Sequence, residues 1–444
     1  MNKRQSINRR GFLKVSAFGV LGAGAVGKGF LHVDEKKITP EFPKIKEYRT
    51  LGRTGFKASD IGIGTSRVYP TPVMKALLDA GVNYIDTSEG YGRGAAETSI
   101  GEAIKGRNRK SLFITTKLHL RGEETKESIL SRFRQCLRRL QTKYIDCLMM
   151  HGPQSVKALK QESFHQAVKQ LKNEGKLKFI GVPNHGPRSR RQSEAESMGE
   201  VLMGAAADGR FDVILVVYNF LKKEEGEKVL DACKAKNIGA TIMKSNPVGR
   251  YYSMKEGMEL LKKEGMEISP RRKAYFKRVK ETAEKAEFFT KKHNLQNPGE
   301  IRETAIRFVL SNPDVHVLNL AFNSFEDVEN LLKLSGSRLD TKGKQTLAAF
   351  TEGCSDFYCR HACGICESSC PHHVPINTIM RYNHYFEAHG SEKYAMEKYA
   401  RLSQESLQNA APCQTCKGQC EQACPYRVPI QGLLVMAHQQ LILA

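Results

Sequence analysis

From Asp60 onward, short apolar and β-branched runs alternate with longer stretches whose apolar positions recur at helical spacing. The runs are DIGIGT (60–65), VNYIDTS (82–88), SLFITTK (111–117), YIDCLMMH (144–151), KFIGVPN (178–184), DVILVVYN (212–219), GATIMKS (239–245) and VHVLNLAF (315–322). Between them lie TPVMKALLDAG, ESILSRFRQCLRRLQ, ESFHQAVKQLKNEG and EKVLDACKAKN, amphipathic segments with glycines near their ends as C-caps. Strand then helix, repeated over about 290 residues, predicts an α/β fold, a (β/α)8 TIM barrel. A doubly wound open sheet is the alternative. The barrel is favoured because polar residues end several different strands, where barrel enzymes place their chemistry. YRTLGRTGFKAS (48–59) reads as a hairpin ahead of it.

Length changes the picture next. At 444 residues the chain exceeds one barrel and suits a second, smaller domain. The boundaries expected are 1–30 for an address segment, 47–340 for the barrel and 345–444 for a smaller, mainly helical ferredoxin-like domain. A formal charge of +23 favours acidic partners without choosing among nucleotides, anionic lipid, an acidic redox protein or nucleic acid. No aromatic–basic recognition motif supports nucleic acid, and none is expected as a partner.

The opening MNKRQSINRRGFLKVSAFGVLGAGAVGKG runs from a basic start through Ser6-Ile7-Asn8-Arg9-Arg10-Gly11-Phe12-Leu13-Lys14 into a weakly apolar stretch. It resembles a bacterial twin-arginine signal, which implies export of a folded protein to the periplasm, with an uncleaved signal as a membrane tether if it is retained. Gly22 to Gly27 matches G-x-G-x-x-G, but no strand precedes it and no βαβ unit follows, so it is rejected as a dinucleotide loop.

Asp86 ends the second barrel strand and Tyr91 follows five residues on; Lys117 ends the third and His151 the fourth. YRTLGRTG, the Asp86–Tyr91 spacing, GAAETSIGEAI, ITTK, MMHGP and GKLKFIGVPNH fall in the order of the aldo-keto reductase superfamily, which residues 47 to 335 resemble. That resemblance implies an oxidoreductase acting on a small carbonyl or alcohol with NAD or NADP. It implies Tyr91 as proton donor, Lys117 and Asp86 as the pair that tunes it, and His151 as a donor orienting the carbonyl. The chemistry suits such a set, since a lysine ammonium stabilises a phenolate and an imidazole N–H stabilises charge on oxygen.

The same resemblance puts Asn184 on the nicotinamide carboxamide and Met243 where an aromatic ring commonly stacks. It puts Asn323 and Ser324 at a phosphate-binding helix start. Pro183 and Leu215 replace residues of the usual grip, and Glu326 stands where a basic residue would read a 2′-phosphate. After the seventh strand runs a long basic, helix-like stretch from Arg250 to Asn294, either a solvated helix pair or a lid beside the catalytic face.

Cys136, Cys147, Cys233 and Cys354 are scattered and read as buried small hydrophobes. The other eight form two runs, Cys359-x3-Cys363-x2-Cys366-x3-Cys370-Pro and Cys413-x2-Cys416-x3-Cys420-x3-Cys424-Pro, each followed by Val-Pro-Ile. Each resembles the bacterial ferredoxin run with one residue too many in one gap. In two-cluster ferredoxins the fourth cysteine of each run serves the other cluster. The resemblance therefore implies one [4Fe-4S] cluster on Cys359, Cys363, Cys366 and Cys424, and a second on Cys413, Cys416, Cys420 and Cys370. Disulfides and zinc are the rivals, and His361, His372 and His373 are candidate substitute ligands. Nicotinamides do not cross membranes freely, so an exported reductase implies a retained cofactor and a redox partner protein. Hydride carries two electrons and a cluster passes one, so a flavin or another protein is expected between them. The other reading is a barrel that has become a non-catalytic scaffold for electron relay.

Overall fold

The structure is a computed structural model that describes residues 41–442 apart from 67–69, 121, 123, 188–195, 250, 253–269, 388–390 and 403–407. The expected signal over 1–30 lies outside the described residues, and Phe42–Ala444 forms one compact unit. Its centre is a closed parallel barrel. In chain order the strands are β3 (Ile61–Gly64), β4 (Tyr84–Asp86), β5 (Phe113–Leu118), β6 (Ile145–Met150), β7 (Leu177–Pro183), β8 (Val213–Val217), β9 (Gly239–Met243) and β10 (Val317–Leu320). Each pairs with the next, and β10 closes on β3 through Leu318–Ile61 and Leu320–Ile63. Strands buried on both faces need no alternation, which is why β8 reads VILVV and is buried throughout.

The hairpin β1 (Tyr48–Thr50) and β2 (Lys57–Ser59) pairs antiparallel outside the barrel. It carries Leu51 into a cluster with Tyr84, Phe113, Met149 and Val317. Gly52 sits at φ +45 with its backbone against the β9 entrance; a Cβ there would come 2.4 Å from Gly239 N. Only glycine permits that approach.

Around the barrel run α1 (Thr71–Asp79), α2 (Ala95–Ile104), α3 (Lys126–Arg139), α4 (Glu162–Asn173), α5 (Met198–Asp208), α6 (Glu224–Ala235), α7 (Pro270–Lys292), α8 (Pro298–Leu310) and α9 (Phe325–Leu332). In the basic stretch after β9, α7 turns Val279 and Ala286 into a core. Its lysines pair outward at i,i+4, Lys280 with Glu284 and Lys291 with Glu287. The described part of that stretch is a helix with one solvated face.

The remainder is helical, with no strand among the described residues: α10 (Thr341–Cys354), α11 (Ile376–Glu387), α12 (Glu392–Ala400), the short α13 (Gln419–Gln422) and α14 (Ile430–Leu441). Val279, Ala286 and Ile301 from the barrel's outer helices share one core with Leu347, Phe357, Ile379, Leu433 and Cys366. A Cβ on Gly353 of α10 would meet the Phe289 ring of α7 at 2.4 Å. The cysteine-bearing segment is thus packed into the same body as the last barrel helices.

The two cysteine runs repeat in three dimensions at an offset of 54 residues. Gly364 (φ +72) and Gly418 (φ +74) precede the third cysteine of each run, and His373 (φ +52) and Arg427 (φ +55) follow each Cys-Pro. Glu367 Oε1 accepts the N–H of Asn377 at 2.8 Å, as Glu421 Oε1 accepts that of Gln431 at 2.9 Å. At that offset Cys359, Cys366 and Cys370 correspond to Cys413, Cys420 and Cys424. The second cysteine alone has slid by one residue, which accounts for the two different gaps.

Candidate active site

The C-terminal ends of the strands open into a cavity of about 1660 Å3 lined by Asp86, Tyr91, Lys117, His151, Met243 and Asn323. Asp86 ends β4, registered against Gly64 and Thr115. Lys117 points inward from β5, 1 % exposed. Its Nζ donates to Asp86 Oδ1 and, at 2.7 Å, to the Thr87 carbonyl. Burial pushes the Lys117 ammonium below the usual lysine range, and Asp86 opposes that shift. Burial likewise raises Asp86, with Lys117 opposing. Each ion therefore depends on the other.

Tyr91 opens a tight turn in which Gly92 and Arg93 take left-handed backbone (φ +57 and +55). The turn brings the tyrosine ring over Lys117, with Nζ 5.2 Å from its centroid. His151 meets Tyr91 edge to face, centroids 6.1 Å apart at 88°. Its backbone N–H donates to the Leu118 carbonyl at 2.8 Å. Ser88 Oγ lies 3.2 Å from His151 Nδ1 and 3.2 Å from the Lys117 carbonyl. Ser88 has one hydrogen to give: placed on the Lys117 carbonyl it leaves Oγ to accept from Nδ1–H, and placed on Nδ1 it leaves the ring hydrogen on Nε2, the tautomer an orienting donor needs. The fold thus gathers the sequence-predicted quartet at one mouth.

The expected cofactor residues divide. Asn184 is 1 % exposed, and its amide is engaged with backbone: Nδ2 donates to the Pro153 carbonyl at 2.7 Å, while Oδ1 accepts the Gly186 N–H at 2.5 Å. It does not line the cavity; its neighbours Pro183 and His185 do. Ser324 caps α9 by accepting the Asp327 N–H, and Asp327 Oδ2 in turn accepts the Asn323 N–H at 2.8 Å. With Glu326 beside it, that helix start presents carboxylates and has donors already engaged, a poor seat for a phosphate. Asn319 on β10 lines the cavity, and both its amide atoms are buried without a hydrogen-bond partner. A nicotinamide carboxamide fits that free amide and the size of the cavity; it does not fit Asn184 as placed.

Residues the sequence reading passed over complete the site. His119 stands edge to face with His151, its Nδ1 3.1 Å from the His151 carbonyl. Lys244, Arg381, Tyr382 and Tyr385 line the same cavity, the last three from α11. His119 and Lys244 lie one residue past the ends of β5 and β9; Arg381, Tyr382 and Tyr385 follow no motif, and only the docking of α11 brings them there.

The cysteine segment meets the barrel close by. A Cβ on Gly186 (φ +77) would lie 2.5 Å from Ala362 Cα, between Cys359 and Cys363 of the first run. Asn219 Nδ2 donates to the Tyr358 hydroxyl at 3.1 Å, and Arg93 pairs with Glu397 of α12 at 3.6 Å.

No disulfide joins any of the twelve cysteines. Burial pushes Cys359 up to about 12, with Cys363 and Cys424 adding to the rise. Burial does the same to Cys420, again to about 12, with Cys370, Glu421 and Cys416 adding. Cys413 rises through burial and then through Cys420, Cys370 and Cys416. Cys366 rises through burial and then through Cys359, Cys420 and Cys424, so the two groups adjoin. The thiols that bear on one another's charge fall mainly into Cys359, Cys363 and Cys366 with Cys424, and Cys413, Cys416 and Cys420 with Cys370. Among the described residues no three His, Cys, Asp or Glu side chains converge on a single-ion position. A cubane, whose irons occupy separate corners, takes its thiolates farther apart than one ion does. The donor set and its grouping in fours fit iron–sulfur clusters.

A closed barrel with a buried Lys–Asp pair beneath a tyrosine at its strand ends defines a barrel enzyme. The sequence pattern of the Aldo/keto reductase family matches residues 52–351, so the chain belongs to that family and is an oxidoreductase. It is 24% identical over 332 residues to aldo-keto reductase YhdN of Bacillus subtilis (strain 168), covering 69% of this chain and 94% of the relative. It is 32% identical over 128 residues to methylglyoxal reductase DkgB of Salmonella typhi, 28% of this chain and 46% of that one. Among solved structures, the holo form of aldo-keto reductase AKR11C1 from Bacillus halodurans superposes with TM-score 0.48 at 19% identity, covering 68% of this chain and 95% of that one.

Proposed function

We propose that this aldo/keto reductase is an exported enzyme that interconverts a small carbonyl compound and its alcohol, and carries two [4Fe-4S] clusters. The observation that carries the reading is the buried Lys117–Asp86 pair under the Tyr91 ring, with His151 edge-on beside it. A nicotinamide dinucleotide, when bound, supplies or takes the hydride. Tyr91 gives its hydroxyl proton to the carbonyl oxygen, and Lys117 stabilises the phenolate left behind. Asp86 holds the ammonium in place, and His151 directs an N–H at the oxygen where charge develops. NAD is favoured over NADP because Glu326 and Asp327 occupy the start of α9. The relative named for methylglyoxal agrees with a small carbonyl substrate.

The clusters, when bound, supply one-electron transfer, with Cys359, Cys363, Cys366 and Cys424 holding one and Cys370, Cys413, Cys416 and Cys420 the other. The approach of Ala362 to Gly186 supports electron exchange between them and the cavity. Since hydride moves two electrons, a flavin or a redox partner protein takes part. The arginine pair at Arg9 and Arg10 supports twin-arginine export to the periplasm, cofactors loaded beforehand.

Anaerobically purified protein is expected to contain iron, sulfide and a releasable nicotinamide. Tyr91→Phe should lower carbonyl reduction roughly 10²–10⁴-fold while leaving iron content and melting temperature unchanged. A Tyr91→Phe protein as active as the wild type, beside an inactive Cys366→Ser, would instead select the scaffold reading.

A further inference from the structure

Arg381 and Lys244 stand where α11 covers the catalytic cavity, and both line it. Arg381 is 9 % exposed. Lys244, just beyond β9, adopts left-handed backbone at φ +60, and its Nζ lies 4.0 Å from the Tyr385 ring centroid. That backbone region is disfavoured for a lysine, and it persists where the surroundings hold the residue in place. The charges that bear on Lys244 are those of Tyr385 and Arg381. Those on His185, besides burial, are Arg381, Lys244, His151 and Lys117, all of one sign. Glu387, the acid of α11 on the same cavity, accepts from Asn383 at 3.2 Å. Among the described residues no carboxylate is ion-paired to Arg381 or Lys244.

Two cations drawn out of water are costly to hold, and among the described residues what offsets Lys244 is the Tyr385 hydroxyl rather than a carboxylate. A guanidinium beside an ammonium is the arrangement that receives a carboxylate, bidentate on the first and point-charged on the second. Arg381 and Lys244 line the same cavity as Tyr91 and His151, so an anion held by the pair shares one pocket with the quartet. Tyr385 and Tyr382 supply donors and aromatic walls to the same pocket.

We propose that the substrate is a small carbonyl acid, its carboxylate held by Arg381 and Lys244 while its carbonyl faces Tyr91 and His151. This rests on the quartet being the reaction centre. The pair is not contributed by the barrel motifs alone: half of it comes from the cysteine-bearing segment, which makes that segment part of substrate selection. The shared chemistry, an oxyanion, could also be a dinucleotide phosphate, and the test separates the two.

Anaerobically purified full chain is titrated calorimetrically with pyruvate, succinic semialdehyde and 2-oxoglutarate, each beside its neutral methyl ester, and with NADH. At least one acid should bind about tenfold or more tightly than its ester. Arg381→Gln and Lys244→Gln should each weaken that acid about tenfold, with NADH affinity, iron content and melting temperature unchanged. Tyr91→Phe should keep the acid's affinity, so a failed reaction mechanism and a failed anion site give different results. Acids no tighter than their esters would overturn the proposal on wild-type protein alone. Variants that weaken NADH and spare the acids would overturn it in favour of a dinucleotide phosphate.

Discussion

His316 joins β9 to β10 at the end of the barrel away from the cavity, where its Nδ1 accepts the Ala240 N–H at 3.0 Å. Burial, with Arg49 adding, lowers its pKa below the usual histidine value, against Asp314. Between the folded and unfolded pKa the unfolded chain binds a proton that the folded chain refuses, so stability falls as pH drops through about 6.5. His165 and His438 are shifted in the same direction by burial. Melting temperature should therefore decline from about pH 7.5 to about pH 5.5. His316→Asn, which keeps an acceptor and loses the titration, should show a shallower decline by circular dichroism. At the same scale, Asp86 and Lys117 were legible as polar residues at the ends of strands, and His151 and Tyr91 as residues one and five past a strand end. Asn184 was legible in place but not in direction. Its amide turns to backbone because Gly186 and Pro153 offer partners that no motif records.

Among elements, the eight barrel strands and the hairpin emerge from the sequence because strands buried on both faces leave unbroken apolar runs. The position of α11 does not. Its apolar residues say that one face is buried, but not that Arg381 and Tyr385 will cover a cavity formed by the barrel strands from Ile61 to Leu320. Beside the shared core, one contact in that docking is local: Gly186 lets its loop press on Ala362. Gly186→Ala would place a Cβ 2.5 Å from Ala362 Cα at φ +77. Backbone strain of about 1–3 kcal/mol and the clash should together lower the melting temperature by several degrees. Protease cleavage between α11 and α14 should rise more than cleavage in the barrel. Unchanged proteolysis there would mean that the contact is not what holds the segment.

For the molecule as a whole, one core joins barrel helices α7 and α8 to the helices that carry the cysteines. Thiols that burial holds far above their ordinary range need a reason to ionise, and on the proposed reading a cluster supplies it. Removing iron with a chelator under reducing, anaerobic conditions should therefore destabilise more than the cysteine runs. A single melting transition should move down, and carbonyl-acid affinity should fall with it, since α11 carries Arg381. Two separate transitions would instead show the segments to be energetically independent. The barrel's far end gives the molecule one more property. Leu51 stoppers it and Gly52 sits on Gly239, so among the described residues the cavity opens toward α11 and α12, and on the proposed reading reactant and product use that same opening. Turnover then resembles a lane that must clear before it can be used again, and accumulated alcohol should slow the enzyme by simple competition for entry.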